Sequence, residues 1–267
     1  MIELRATLIV KLGGSAITRK DRVFSPRDNV LEIVAPQLRE LVEVDKESVI
    51  VIHGGGSFGH PVASAYSIDK GYTNKGQLLG FSKVKRAMLV LHLKILEALL
   101  EYGVPVAPFS PSNFVLTRKG VPVNFVVKPV KETLELGLIP LLHGDVVIDV
   151  EWGFYIISGD QLAFELANRL PVKKVIFGTD VKGIYTEDPK VSERAKLIRV
   201  IRVTDKICVK TSGEEVVDVT GGILRKLSYA IALAKMGIPV VIGDITESEG
   251  LLRLVRGNEK ECTLILP

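Results

Sequence analysis

The chain has 267 residues, of which 47% are apolar, so it can bury a large core as one large α/β domain or two modest ones. Its net charge of +4 comes from 35 basic residues scattered among 31 acidic ones, without the basic blocks that track a nucleic-acid backbone. That balance excludes nucleic acid as the expected partner and favours anionic small molecules.

The first apolar run, "ATLIVKL" (6–12), reads as a buried strand. Lys11 interrupts "TLIV" after four residues, which is too short for a signal sequence or a membrane span. No membrane partner is expected. "KLGGSAITRK" (11–20) then places Gly13 and Gly14 directly after the strand, between Lys11 and Lys20. This reads as an anion cradle or as a plain turn with a solvated lysine. A helix is predicted over 27–43, capped by Ser25 or its neighbour with Pro26 in the first turn.

The second strand, "SVIVIH" (48–53), runs into "HGGGSFGHP" (53–61). Gly54-x-Gly56-x-x-Gly59 has the form of a dinucleotide fingerprint, but no second strand and acidic ribose clamp follow at the required spacing. As a Walker loop it fails too, because His60 and Pro61 stand where Lys and a hydroxyl residue are needed. A glycine-rich strand-to-helix turn survives both failures, its bare N–H groups and helix N-terminus suited to phosphate oxygens, with His60 as a further donor. The alternative is a tight turn in which His60 caps or packs.

A long helix is predicted over 75–102, then strands at 104–109 and 138–143 with a helix at 129–136 between them. "DVVIDVEWGFYII" (145–157) alternates on both sides of "EWG" and predicts an antiparallel hairpin. "IISGDQLA" (156–163) offers Ser158 as N-cap of a helix over 159–170, with Gly159 and Asp160 in its first turn; Asp160 is either functional or simple dipole compensation. A strand at 173–178 leads into "FGTDVKGIYTEDP" (177–189), which is a site loop or merely a polar one. In "DVTGGILRKLSYA" (218–230), Thr220 reads as a cap and Gly221 and Gly222 as the first turn of a helix over 222–236. Lys226 lies one turn further on, and Gly237 ends that helix. A last strand is predicted at 238–243.

Alternating buried strands and amphipathic helices predict an α/β fold: an open, mainly parallel, doubly wound sheet with helices on both faces. Two lobes are expected, 1–170 and 171–267. Cys208 and Cys262 lack C-x-x-C spacing and fit a reducing cytoplasm. His53, His143 and Asp145 stand at separate strand ends without a close ligand pair, so no protein-held metal is expected.

Taken together, "KLGGS" (11–15), "HGGG" (53–56), "TDVKGIYTEDP" (179–189) and "TGGILRK" (220–226) resemble the amino acid kinase superfamily over nearly the whole chain. Within it, "KLGGSAITRK", "HGGGSFGHP", "HGDVVID" (143–149) and "ISGDQL" (157–162) are most similar to the isopentenyl phosphate kinase family, which makes isopentenyl diphosphate from isopentenyl phosphate and ATP. The final histidine of the glycine loop is shared with fosfomycin kinases and absent from acetylglutamate and aspartate kinases. The resemblance therefore implies a phosphate or phosphonate acceptor; a nucleotide-sensing subunit without catalysis is the reading from another class. It further implies that Gly55, Gly56, His60 and Gly159 bind the acceptor. The nucleotide site would comprise Lys11, Gly13, Gly14, Ser15, Gly56, Asp180, Lys182, Gly183, Gly221 and Lys226. Lys11, Lys20 and Lys226 meet the phosphates, Lys20 near the γ-phosphate, and Asp160 orients the lysines. ATP carries its own Mg2+, and the assembly is expected to be a homodimer.

Phosphoryl transfer of this kind needs alignment and charge stabilisation more than covalent chemistry. An acceptor phosphate with a second pKa of roughly 6 is already anionic at neutral pH and needs no general base. Lys11 and Lys20, with the Mg2+ on ATP, would screen the repulsion between the two polyanions, with His60 donating from Nε2 or carrying a proton as imidazolium. Phe81, Val84 and Met88, at near 3–4 spacing on the long helix, are candidates for the wall of an apolar tail pocket or ordinary core positions.

Overall fold

A computed structural model describes residues 6–204, 210–211, 214–215, 222–257 and 261–267. The strands are β1 (Thr7–Leu12), β2 (Val49–His53), β3 (Val106–Pro108), β4 (Val115–Arg118), β5 (Val121–Phe125), β6 (Ile139–His143), β7 (Asp145–Asp149) and β8 (Gly153–Ile157), followed by β9 (Val172–Thr179), β10 (Ile184–Tyr185), β11 (Leu197–Ile198), β12 (Val200–Arg202), β13 (Lys210–Thr211), β14 (Glu214–Glu215), β15 (Val240–Asp244) and β16 (Cys262–Leu266). The helices are α1 (Gly14–Ile17), α2 (Asp28–Glu43), α3 (Gly56–Ala65), α4 (Gly76–Glu101), α5 (Lys128–Glu135), α6 (Gly159–Ala167), α7 (Gly222–Lys235) and α8 (Gly250–Arg256).

Among the described residues the main sheet has eight strands in the order β12-β16-β15-β9-β1-β2-β6-β3. All neighbours run parallel except β15 and β16. The expected doubly wound α/β sheet is therefore present, and its cause is visible in β1. Leu8, Val10 and Leu12 point into a core shared with α2, α4 and α8, while Ile9 points into a second core shared with α5, α6 and α7. A strand apolar on both faces is stable only when helices cover both.

Each of the predicted strands and helices has a counterpart within a few residues of its expected place. The cap of α2 is a correction: the helix begins at Asp28 after Arg27, with no side-chain cap. Ser25 instead exchanges hydrogen bonds with Ser57, its N–H donating to Ser57 Oγ and its carbonyl accepting from that hydroxyl. At α6 the expected cap forms, Gln161 N–H donating to Ser158 Oγ at 3.1 Å. Gly237 follows α7 with φ of +83°, a conformation that suits glycine. Thr220, Gly221 and Cys208 lie outside the described residues.

The predicted hairpin forms as β7 and β8, and the pair β4–β5 joins it in a four-stranded sheet of order β5-β4-β7-β8. Asp149 ties the two hairpins together. Its carboxylate accepts from Thr117 Oγ1 and from the N–H groups of Lys119, Gly120, Glu151 and Trp152. Burial opposes its ionisation, but these donors outweigh burial and lower the pKa to about 2. A depressed carboxylate pKa adds stability that is present above the unfolded value near 4 and is lost as pH falls through the folded one. Asp149→Ala is expected to lower stability at pH 7 by about 2 kcal/mol. Between pH 4 and 2 the wild type should approach the variant, a convergence that urea melts at stepped pH will measure.

Candidate active site

Strand register decides where the loops meet. Leu12 pairs with His53 and Gly178, and His53 pairs with His143, so β1, β2, β6 and β9 end level with one another. Their glycine loops open at one edge of the sheet, the carboxyl edge where open α/β folds place ligands.

The β1 and β2 loops touch backbone to backbone. A Cβ added to Gly14 would lie 2.6 Å from the Gly56 nitrogen, and one on Gly54 would lie 3.0 Å from the Gly14 nitrogen. Gly56 has φ of +45° and would drive a Cβ to 2.1 Å from Thr18 Oγ1. Thr18 fastens the two loops, donating from Oγ1 to the Gly14 carbonyl at 2.7 Å and accepting there from Ser57 N–H at 2.9 Å. Gly13 is equally confined, since its Cβ would meet the Gly178 carbonyl at 2.5 Å. These glycines are required by close approach, and α3 and α6 start beside them with first-turn N–H groups that no helix carbonyl can satisfy. Gly14→Ala is expected to push the loops apart, costing about 1–3 kcal/mol of stability together with most of the activity; thermal melts and kinetics on one sample will test both.

Three elements, β1, α6 and α7, deliver charge to this edge. Lys11 on β1 is buried and pairs with Asp160 of α6 at 2.8 Å. Its Cε lies 3.3 Å from the position of a Cβ on Gly159, so Lys11 passes directly under the α6 N-terminus. Burial would raise the Asp160 pKa, but Lys11 first and then Lys226 and Arg225 hold it below the usual carboxylate range. Lys226 on α7 is shifted down to about 8, chiefly by burial and then by Lys11 and Lys20, against the raising influence of Asp160 and Asp180. Lys11, Lys20, Lys226 and Asp160 thus share one electrostatic neighbourhood.

His60 lies in α3. Burial, then Lys11 and Arg225, lower its pKa, so the ring is neutral at neutral pH. Burial and two neighbouring cations disfavour a third charge, which favours His60 as a neutral donor before an anion binds. The approach of Arg225 was not foreseen, although it precedes Lys226 in "GGILRK".

On the β9 side, Asp180 is held below the usual carboxylate range by Lys190 and Ser15 despite burial. Ser15 thereby joins the β1 loop to the β9 loop. Lys182 pairs with Glu261 at 2.6 Å, and Gly183 packs on β16, where its Cβ would meet Thr263 Oγ1 at 2.3 Å. Gly55 and Gly59 rest on Met88, whose sulfur lies 3.2 and 2.7 Å from their virtual Cβ atoms.

Val84 and Met88 are buried in a cluster with Ala63, Ile68, Val146 and Phe154, and Phe81 packs half-buried against Phe154. The three candidate wall residues thus belong to one apolar cluster. Phe81 also borders a shallow groove of about 440 Å³ with Ser82, Lys85, Arg86, Leu89, Val90 and Leu93. Positions 84 and 88 face the core, while 82, 86, 89 and 93 point outward. Among the described residues no group of three or more His, Cys, Asp or Glu side chains is arranged to hold a metal ion, and no helix is long and apolar enough to cross a membrane.

Two glycine loops in backbone contact, a cluster of lysines and one buried carboxylate define a phosphate-handling edge on a doubly wound sheet. The amino acid kinase family model matches residues 6–244, and the chain belongs to that family. Within the family it is similar to the isopentenyl phosphate kinase of Methanothermobacter thermautotrophicus, with 35% identity over 97% of this chain and 98% of that one. The isopentenyl phosphate kinase of Arabidopsis thaliana is 32% identical over 88% of this chain and 86% of its own length. A crystal structure of an isopentenyl phosphate kinase superposes with a TM-score of 0.83 at 32% identity, covering 97% of this chain and 99% of the other.

Proposed function

We propose that this protein transfers the γ-phosphoryl group of ATP to isopentenyl phosphate, giving isopentenyl diphosphate. The observation that carries the reading is the convergence of Lys11, Lys226 and His60 on the two glycine loops, in a chain whose relatives across nearly their full length are isopentenyl phosphate kinases. A phosphonate or carboxylate acceptor and a non-catalytic nucleotide sensor are not favoured by these relatives. Turnover of ATP with isopentenyl phosphate, measured beside fosfomycin, acetylglutamate and no acceptor, separates them; equal rates in all arms would sink the assignment.

In this reading the acceptor phosphate lies against Gly55, Gly56, His60 and Gly159, within the lobe 1–170. ATP spans Lys11, Gly13, Gly14, Ser15, Gly56, Asp180, Lys182, Gly183, Gly221 and Lys226, its contacts shared equally between the lobes 1–170 and 171–267. The lobes share one sheet, β9 pairing directly with β1. Lys11 and Lys226 neutralise charge between the two polyanions, Lys20 does so at the γ-phosphate, and Asp160 keeps the lysines aimed. The donor set here is N–H groups and ammonium, with Asp160 engaged by Lys11 and Asp180 by Lys190. That suits Mg2+ held by the phosphates of ATP and by water, where it neutralises developing charge.

The isoprenoid tail extends toward Phe81, Val84 and Met88, so enlarging or trimming Met88 should change chain-length preference when C5 and C10 monophosphates are compared. A homodimer completes the reading. The exposed Leu89 and Leu93 on α4 supply apolar surface for it, and sedimentation at stepped concentrations will give the mass. A cytoplasmic setting is part of this proposal, supported by two cysteines without C-x-x-C spacing, which suit a reducing compartment.

A further inference from the structure

Three histidines meet behind the glycine loops, and the chemistry above uses none of them. His53 and His143 end β2 and β6 as register partners, and His92 reaches them from the middle of α4. All three are buried, with ring centroids 5.2 Å apart for His53 and His92, 5.4 Å for His53 and His143, and 4.7 Å for His92 and His143.

Their hydrogen bonds leave one arrangement of protons. His53 Nδ1 lies 3.1 Å from the Gly54 carbonyl and His143 Nδ1 lies 3.0 Å from the Gly144 carbonyl. A carbonyl only accepts, so both Nδ1 atoms carry hydrogen. The neutral His53 ring then has a lone pair on Nε2. His92 Nδ1, 2.9 Å away, must be the donor to it. Charging a ring is no way out. Burial and the neighbouring imidazoles hold His53 well below its ordinary pKa and His92 at about 3, and burial holds His143 at about 4, with Lys85 nearby lowering the last two and Lys11 lowering His53.

The consequence reaches the loop through one peptide plane. The Gly54 carbonyl and the Gly55 N–H belong to the same trans peptide and point in opposite directions. Anchoring the carbonyl on His53 therefore aims the Gly55 N–H away from the histidines. The β6 loop is seated from the same cluster: Gly144 N–H donates to the His53 carbonyl at 3.0 Å, and a Cβ on Gly144 would come within 2.9 Å of Gly159 N.

We infer that His92 is a positioning residue for the acceptor loop: its Nδ1–H holds His53 in the one tautomer that anchors the Gly54 carbonyl, and so aims the Gly55 N–H at the acceptor phosphate. The inference rests on the reading that loop 54–60 receives that phosphate. The test uses the full chain. Long-range 1H–15N spectra of wild type are expected to show His53, His92 and His143 protonated at Nδ1 and bare at Nε2, a readout that needs no substrate and is untouched if the acceptor has been misassigned. His92→Phe, which removes the donor, is expected to raise KM for isopentenyl phosphate at least tenfold, leave KM for ATP within twofold and release His53 from its single tautomer. His92→Asn carries an amide N–H close to the place of Nδ1 and should restore KM to within threefold of wild type. An Nε2-protonated His53 in wild type, an unchanged acceptor KM in the Phe variant, or an Asn variant no better than Phe would each overturn the inference.

Discussion

His60→Ala is expected to lower kcat/KM for the acceptor about 30- to 1000-fold, the roughly 2–4 kcal/mol of transition-state stabilisation that a single well-placed donor supplies. His60 stands in α3 directly beyond the glycine turn, and its ring is kept neutral by burial and by the like charges of Lys11 and Arg225. A neutral ring contributes by donating a hydrogen bond, so the substitution that should recover most activity is one that keeps an N–H at that reach. His60→Gln is accordingly expected to exceed His60→Ala by tenfold or more. A bound dianion favours the protonated ring, so the His60 pKa should rise when the acceptor binds, and NMR titration with and without it will show the shift. Turnover of the Ala variant at the wild-type rate would remove His60 from the mechanism.

Asp160→Asn is expected to have the second large effect, on stability and on pH dependence together. The carboxylate pairs with buried Lys11 at 2.8 Å and is felt by Lys226 and Arg225. Breaking a buried pair from one side strands the remaining charge, at a cost of about 3–5 kcal/mol. For a chain of this size that corresponds to a fall in Tm of about 6–20 °C. Asp160 also raises the pKa of Lys226, which burial and Lys11 have brought down to about 8. Without Asp160 that pKa falls further, so Lys226 loses its proton at lower pH and the alkaline limb of kcat/KM for ATP should move below 8. A variant with wild-type Tm and an unmoved alkaline limb would show that Asp160 does not hold the lysines.

What could be read from the sequence was whatever depends on residues close together along the chain. Runs such as "SVIVIH" and "KKVIFG" are apolar on both faces, so they can only be buried strands, and glycines at their ends mark turns at a common edge once the connections are parallel. The failure of "HGGGSFGHP" to satisfy either nucleotide-binding pattern was likewise legible, because those patterns are local. The strand β16, which lies between β12 and β15, and the short α8 were missed: each is brief, and their burial comes from partners such as β15 rather than from their own period.

The contacts that shape the site were decided by tertiary structure. Thr18 and Ser57 are 39 positions apart, as are His53 and His92, yet each pair is hydrogen-bonded. Lys85 and Asp145 form a buried ion pair across 60 positions, joined by Ser110 and Ser112, with no marker in either neighbourhood. Side-chain periodicity records which face of an element leaves water, so the sequence by itself determined the sheet, its helices and the edge where the loops open. It carries no record of which buried groups meet across the crossovers. The folded chain settled that Met88 lies beneath the glycine turn, that His60 is buried near Lys11 and Arg225, and that Asp160 faces Lys11, because strand register and helix packing set those distances.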